Sequence, residues 1–162
     1  MNAPIIWIVI PGILAVILFF LRGSQKLSVV FSATISGLLG LIALTFKIDT
    51  VFSFGFLSVE IAPSLEVLGR IFSITDSERM IVALIYFIHV FWVAGSRVAG
   101  SNNFFPSISL ALSALFIAAI SVQPFLYAAL VIEISVLLCM LIFYQRGQPV
   151  RLGILRFLTF QT

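Results

Sequence analysis

Residues 125–144 read FLYAALVIEISVLLCMLIFY, an apolar run interrupted by a single formal charge, Glu133. Its 20 residues would extend about 30 Å as a helix, the thickness of a bilayer's hydrocarbon core. A carboxylate placed near the middle of such a helix costs roughly 2.5–3.5 kcal/mol on insertion scales. A proton, an ion or a basic partner must offset that cost, which makes Glu133 the first candidate for function.

The remaining sequence belongs to the same solvent. Hydrophobic residues make up 62% of the 162-residue chain and charged residues 9%, against about 25% charged in soluble domains. A soluble fold of this size could not bury so much apolar surface. Five spans are expected, at residues 5–21, 27–46, 80–96, 104–122 and 125–144, with the start of a sixth helix near 152. They form one all-α membrane bundle over residues 1–162. The second span carries Ser28, Ser32, Ser36, Gly37 and Gly40, small residues that allow close helix contact. Only Gln123-Pro124 separates the last two full spans, which requires a tight antiparallel hairpin. The first is not a cleaved signal, because Met1-Asn2-Ala3 lacks positive charge.

Loop charges orient the bundle. With the N-terminus extracytoplasmic, Arg22, Lys26, Arg97, Arg146, Arg151 and Arg156 fall on the cytoplasmic side. Lys47, Arg70 and Arg79 fall outside, among five acidic residues. That bias follows the positive-inside rule and places the chain in the cell (inner) membrane as a multi-pass protein. The scattered basic residues give no nucleic-acid surface. Cys139 is the only cysteine, so neither a disulfide framework nor a metal-ligand cluster is expected.

Between the second and third spans, Phe52, Phe54 and Phe56 alternate with Ser53 and Gly55, the period of a strand. A second strand over residues 65–74 would complete an extracytoplasmic hairpin with Glu66 and Arg70 on one face; an irregular headgroup loop is the alternative. Thr75-Asp76-Ser77-Glu78 has the pattern of a capping box opening the third span.

No phosphate-binding glycine loop or nucleophile–base set is present, so catalysis by this chain alone is not expected. Three ionisable residues remain as proton-transfer candidates. Glu133 either loads and releases a proton or joins two helices structurally. His89, at similar depth in the third span, either relays protons with Glu133 or is a neutral histidine bonded to a serine or a carbonyl. Arg156, in the incipient sixth helix, either biases Glu133 electrostatically or snorkels to the cytoplasmic interface. Ser109, Ser113 and Ser121 could line a polar seam beside Glu133. Trp7, Trp92, Tyr127 and Tyr144 fit an aromatic belt or ordinary packing.

Leu110-Ala111-Leu112-Ser113-Ala114-Leu115, then Gln123-Pro124-Phe125-Leu126-Tyr127, Val131-Ile132-Glu133-Ile134-Ser135 and Leu155-Arg156-Phe157-Leu158 resemble the antiporter-like membrane subunits of respiratory complex I. That superfamily also includes subunits of multisubunit cation/proton antiporters and membrane hydrogenases. Its members carry a membrane-embedded glutamate followed by a helix opening on a basic-aromatic dipeptide, and Glu133 and Arg156-Phe157 occupy those positions. The basic residue is Arg where the family usually has Lys. The resemblance implies a proton-translocating subunit of an NADH–quinone oxidoreductase that binds no cofactor itself and works with other membrane subunits in the lipid bilayer. An antiporter subunit without a redox partner, or a non-transporting scaffold, are the other readings. The sixth helical pattern stops at Thr162 without a cap, so the chain is expected to be the N-terminal fragment of a longer protein.

Overall fold

In the computed structural model the described residues are 2–21, 23–48, 50–54, 57–143, 153, 156 and 159. Among them are five helices and two small antiparallel sheets. A π-helical turn, Ile5–Val9, leads into α1 (Ile10–Phe20), followed by α2 (Gln25–Thr45), α3 (Arg79–Ser96), α4 (Phe105–Ser121) and α5 (Leu126–Phe143). The helices begin and end within two residues of the expected spans. Their lengths alter the expectation of five crossings: only α2 and α3 are both long and apolar enough to cross a membrane. The other apolar helical stretches among the described residues, Ile5–Phe20, Phe105–Ser121 and Leu126–Ile142, fall slightly below that length.

The segment after α2 corrects the single hairpin. Strands β1 (Val51–Phe54) and β2 (Leu57–Glu60) pair with each other, while β3 (Ser64–Val67) and β4 (Arg70–Ser73) form a second hairpin. Residues 65–74 therefore fold back on themselves. The cause is the turn at Leu68-Gly69, with φ of 52° and 71°, the two positive values of a type I′ turn. It pairs Val67 with Arg70 and Glu66 with Ile71. Directly opposed residues share a face and successive residues alternate, so Glu66 and Arg70 lie on opposite faces. Phe56 and Gly55 lie outside the described residues.

This second hairpin gains a third strand from the link between the last two helices. β5 (Val122–Gln123) pairs with β4 through Ile71↔Gln123 and Phe72↔Val122. The Arg70 guanidinium stacks 3.7 Å above the Tyr127 ring at the start of α5, a cation–π contact. The N-terminus joins the same end: Ala3 N–H donates to the Ala62 carbonyl at 2.8 Å, and Asn2 Nδ2 to that of Ser64 at 2.9 Å. One end of the bundle thus gathers the N-terminus, both hairpins and the α4–α5 link.

The entry to α3 keeps half of the capping box. Glu78 Oε2 accepts from Thr75 N–H at 2.8 Å, but the Thr75 hydroxyl lies 3.1 Å from the same carboxylate rather than bonding a helix N–H. Asp76 instead accepts from Ile48 N–H at 3.2 Å, and Arg79 donates to the Leu44 carbonyl at 3.1 Å. These bonds fasten the end of α2 to the start of α3.

The core is mainly apolar but also buries several serines and a histidine, while large apolar side chains lie on the surface. Ser28, Ser32, Ser36, His89, Ser107, Ser109 and Ser113 are buried, while Leu27, Phe31, Leu84, Phe91, Leu126 and Leu130 are exposed. The small residues of α2 serve the expected purpose. A Cβ on Gly40 would come within 3.3 Å of the Phe87 ring on α3, so glycine permits the close approach. Near α1, Pro11 has no N–H to offer the carbonyl of Trp7, four residues back. The fully buried Tyr86 hydroxyl donates to that carbonyl at 2.6 Å, and the Trp7 indole donates to the Leu39 carbonyl at 3.2 Å. Three helices are tied by these two aromatic groups.

We predict that Tyr86→Phe lowers stability by about 1–3 kcal/mol, the cost of a buried polar group losing its partner. Adding Pro11→Ala, which restores a backbone N–H, should recover part of that loss. Unfolding of the two variants in detergent, compared with wild type, checks both statements.

Candidate functional site

The most polar part of the helical core is built around His89. From the middle of α3 its imidazole reaches both neighbours: Nδ1 lies 2.7 Å from Ser36 Oγ on α2, and Nε2 lies 3.0 Å from Ser109 Oγ on α4. Ser109 also donates to the Pro106 carbonyl at 3.2 Å, and Ser32 donates to the same carbonyl at 3.1 Å. Pro106, in the first turn of α4, starts the helix without needing an N–H partner.

A hydroxyl has one hydrogen. With that of Ser109 on the Pro106 carbonyl, its oxygen accepts from Nε2–H and Nδ1 accepts from Ser36. In that tautomer the bonds run from Ser36 through His89 and Ser109 to the Pro106 carbonyl, across α2, α3 and α4. Both ring nitrogens are occupied, and His89 is only 4% exposed. The imidazole is thus bonded to serines on both sides rather than to Glu133.

The structure separates the three proton-transfer candidates. Glu133 lies on α5 but on its exposed side, between exposed Ile132 and Ile134. Arg156 is helical and exposed. Among the described residues, no hydrogen bond or ion pair joins Glu133 to His89 or to Arg156. The expected relay between His89 and Glu133 is therefore not formed within this bundle. The expected seam beside Glu133 is also redirected. Ser109 serves His89, while Ser113 and Ser121 bond back to the carbonyls of Ser109 and Ala118 in their own helix. On α5, Ser135 behaves the same way, donating to the Val131 carbonyl at 2.8 Å.

Two features escaped the sequence reading. The partnership of His89 with Ser36 and Ser109 joins residues 53 and 20 positions away, and only the packing of three helices brings them together. The stacking of Arg70 on Tyr127 depends on the β4–β5 pairing, for which no local pattern exists. Most of the sixth helical pattern, including Phe157, lies outside the described residues, as do Tyr144 and the loop arginines Arg22, Arg146 and Arg151. Among the described residues no group of three or more His, Cys, Asp or Glu side chains could hold a metal ion.

Comparison with known proteins adds no family to these observations: no family model, curated protein or solved structure matches the chain.

We predict that His89 is a neutral imidazole protonated on Nε2 at neutral pH, which ¹⁵N spectra of histidine-labelled protein read directly. Ser36→Ala and Ser109→Ala should each destabilise the bundle by about 1–3 kcal/mol, because each leaves a buried ring nitrogen unpaired.

Proposed function

We propose that this chain is a membrane-embedded subunit of a proton-translocating assembly of the NADH–quinone oxidoreductase type, with Glu133 as its proton-carrying group. The observation that carries this reading is the position of Glu133. It sits midway along an apolar helix, on the side facing away from the bundle, without a partner among the described residues. A purely structural glutamate would be bonded to a neighbouring helix of its own bundle, as His89 is. A carboxylate turned outward awaits a group supplied by another element. Ionisable residues within membrane helices mark ion and proton paths for this energetic reason.

Membrane insertion is supported by the two long apolar helices and by the apolar exterior of all five. The 17-residue α4 reaches about 25 Å at 1.5 Å per residue. Local thinning and flanking polar residues accommodate a shortfall of a few ångströms. We therefore read all five helices as crossing together. Under this reading, the end that gathers the hairpins is extracytoplasmic, in accordance with the loop charges. His89 belongs to the scaffold and Arg156 to the cytoplasmic interface. The resemblance to antiporter-like subunits supplies the reaction class, and a cation/proton antiporter subunit is the nearest alternative, sharing Glu133 but lacking a redox partner.

Orientation is tested with a membrane-impermeant thiol reagent on intact cells, in a Cys139→Ser background. Ser64→Cys should be labelled and Gln148→Cys spared; the reverse would invert the proposed topology. The role of Glu133 is tested by proton movement in vesicles containing the assembled complex. Glu133→Gln keeps shape and hydrogen bonding but cannot change charge, and should sharply reduce pumping at unchanged subunit abundance. Unaltered pumping in that variant would remove Glu133 from the mechanism.

A further inference from the structure

A cleft of about 610 Å³ opens between α3, α4 and α5. It exists because α5 packs chiefly on α4, leaving the α3 side of the hairpin unfilled. Ile85, Ile88, Leu112, Phe116, Cys139 and Ile142 form its apolar walls. His89, Ser109 and Ser113 also line it, and each is already hydrogen-bonded within the protein, so few polar groups remain free. Trp92, one turn from the end of α3, stands over Phe105 with ring centroids 6.3 Å apart and planes 17° from parallel.

We infer that this cleft holds one acyl chain of a membrane phospholipid, entering beside Trp92. Water does not suit the site, because a buried water needs two to four free polar partners. Its volume falls in the range of pockets that enclose a single small ligand, and its lining asks for a ligand without polar groups along its length. The bilayer supplies acyl chains in large excess at this surface. An indole near a helix end also fits the level of the lipid's ester groups, where tryptophan is enriched and its N–H can donate.

This inference rests on the proposed membrane insertion, and one experiment separates the two. The full chain is reconstituted in vesicles with a phosphatidylcholine carrying a mid-chain diazirine, and photo-adducts are mapped by peptide mass spectrometry. Adducts are expected at Leu112, Phe116 and Cys139 in the cleft, and at Phe31 and Leu38 on the exposed face of α2. Filling the cleft with Cys139→Phe should reduce the Leu112 and Phe116 adducts several-fold while leaving those on α2 unchanged. As a readout that needs no variant, alkylation of Cys139 by N-ethylmaleimide in detergent should slow when phosphatidylcholine is added. Adducts on α2 without any in the cleft would overturn the acyl-chain site alone. Their absence from both would overturn membrane insertion, and the site with it. Stronger competition by an isoprenoid alcohol than by unlabelled phosphatidylcholine would reassign the cleft to a branched chain and overturn the assignment to a phospholipid.

Discussion

The His89 imidazole, held at both nitrogens by serines of different helices, is the interaction on which the bundle's arrangement depends. A helix pair can slide or rotate when only apolar side chains meet, because many packings have similar energy. A ring with two fixed acceptor and donor directions admits few. With α3 between them, α2 and α4 are set in depth and rotation by Ser36 and Ser109. Shared use of the Pro106 carbonyl by Ser32 and Ser109 extends the constraint towards the start of α4. Ser107 then reaches the Ala15 carbonyl at 2.6 Å and brings α1 into the same frame. Each bond is modest, about 1 kcal/mol net in ordinary cases. Their combined value is geometric, since they fix which of several apolar contacts are made.

The hairpin end performs a complementary task. The five helices are joined by connections that could each adopt several courses. The β4–β5 pairing and the Arg70–Tyr127 stack attach the α4–α5 turn to the segment preceding α3. Asp76 and Arg79 attach the end of α2 to that same segment. The N-terminal strand-like bridge at Asn2 and Ala62 adds α1. The core therefore sets the relative positions of α1 to α4, while the sheet restrains where α5 begins. Between those two constraints, the far part of α5 diverges from α3 and leaves the cleft.

The helices were legible because hydrophobic runs and prolines act locally, and each expected boundary falls close to the observed one. The small residues of α2 were legible too, since Ser32, Ser36 and Gly40 recur on one helical face. What local reading could not supply is pairing. The alternation around Phe52 to Phe56 suggested one strand of a hairpin, but the positive φ values at Leu68 and Gly69 divide the segment into two. Leucine gives little warning of such a turn, because a left-handed backbone is unfavourable for a bulky residue. The same limit applied to the site. Glu133, His89 and Arg156 were recognisable as unusual in apolar surroundings, yet their rotational positions were not. A rotation of α5 by half a turn would put Glu133 in the core and the buried Ser135 outside.

That rotational difference separates the two ionisable residues chemically. His89 has its polar demand met within the bundle, so its environment favours one orientation. Glu133 presents its demand outward, where the exposed residues one turn before and after it, Leu130 and Leu137, cannot meet it. A carboxylate on an exposed apolar face is open to a donor from a neighbouring element, as its proposed role requires. The buried histidine, already bonded on both sides, offers no such opening. The fold thus places the satisfied polar contact inside, where it secures geometry, and leaves on an exposed face a carboxylate without a partner among the described residues.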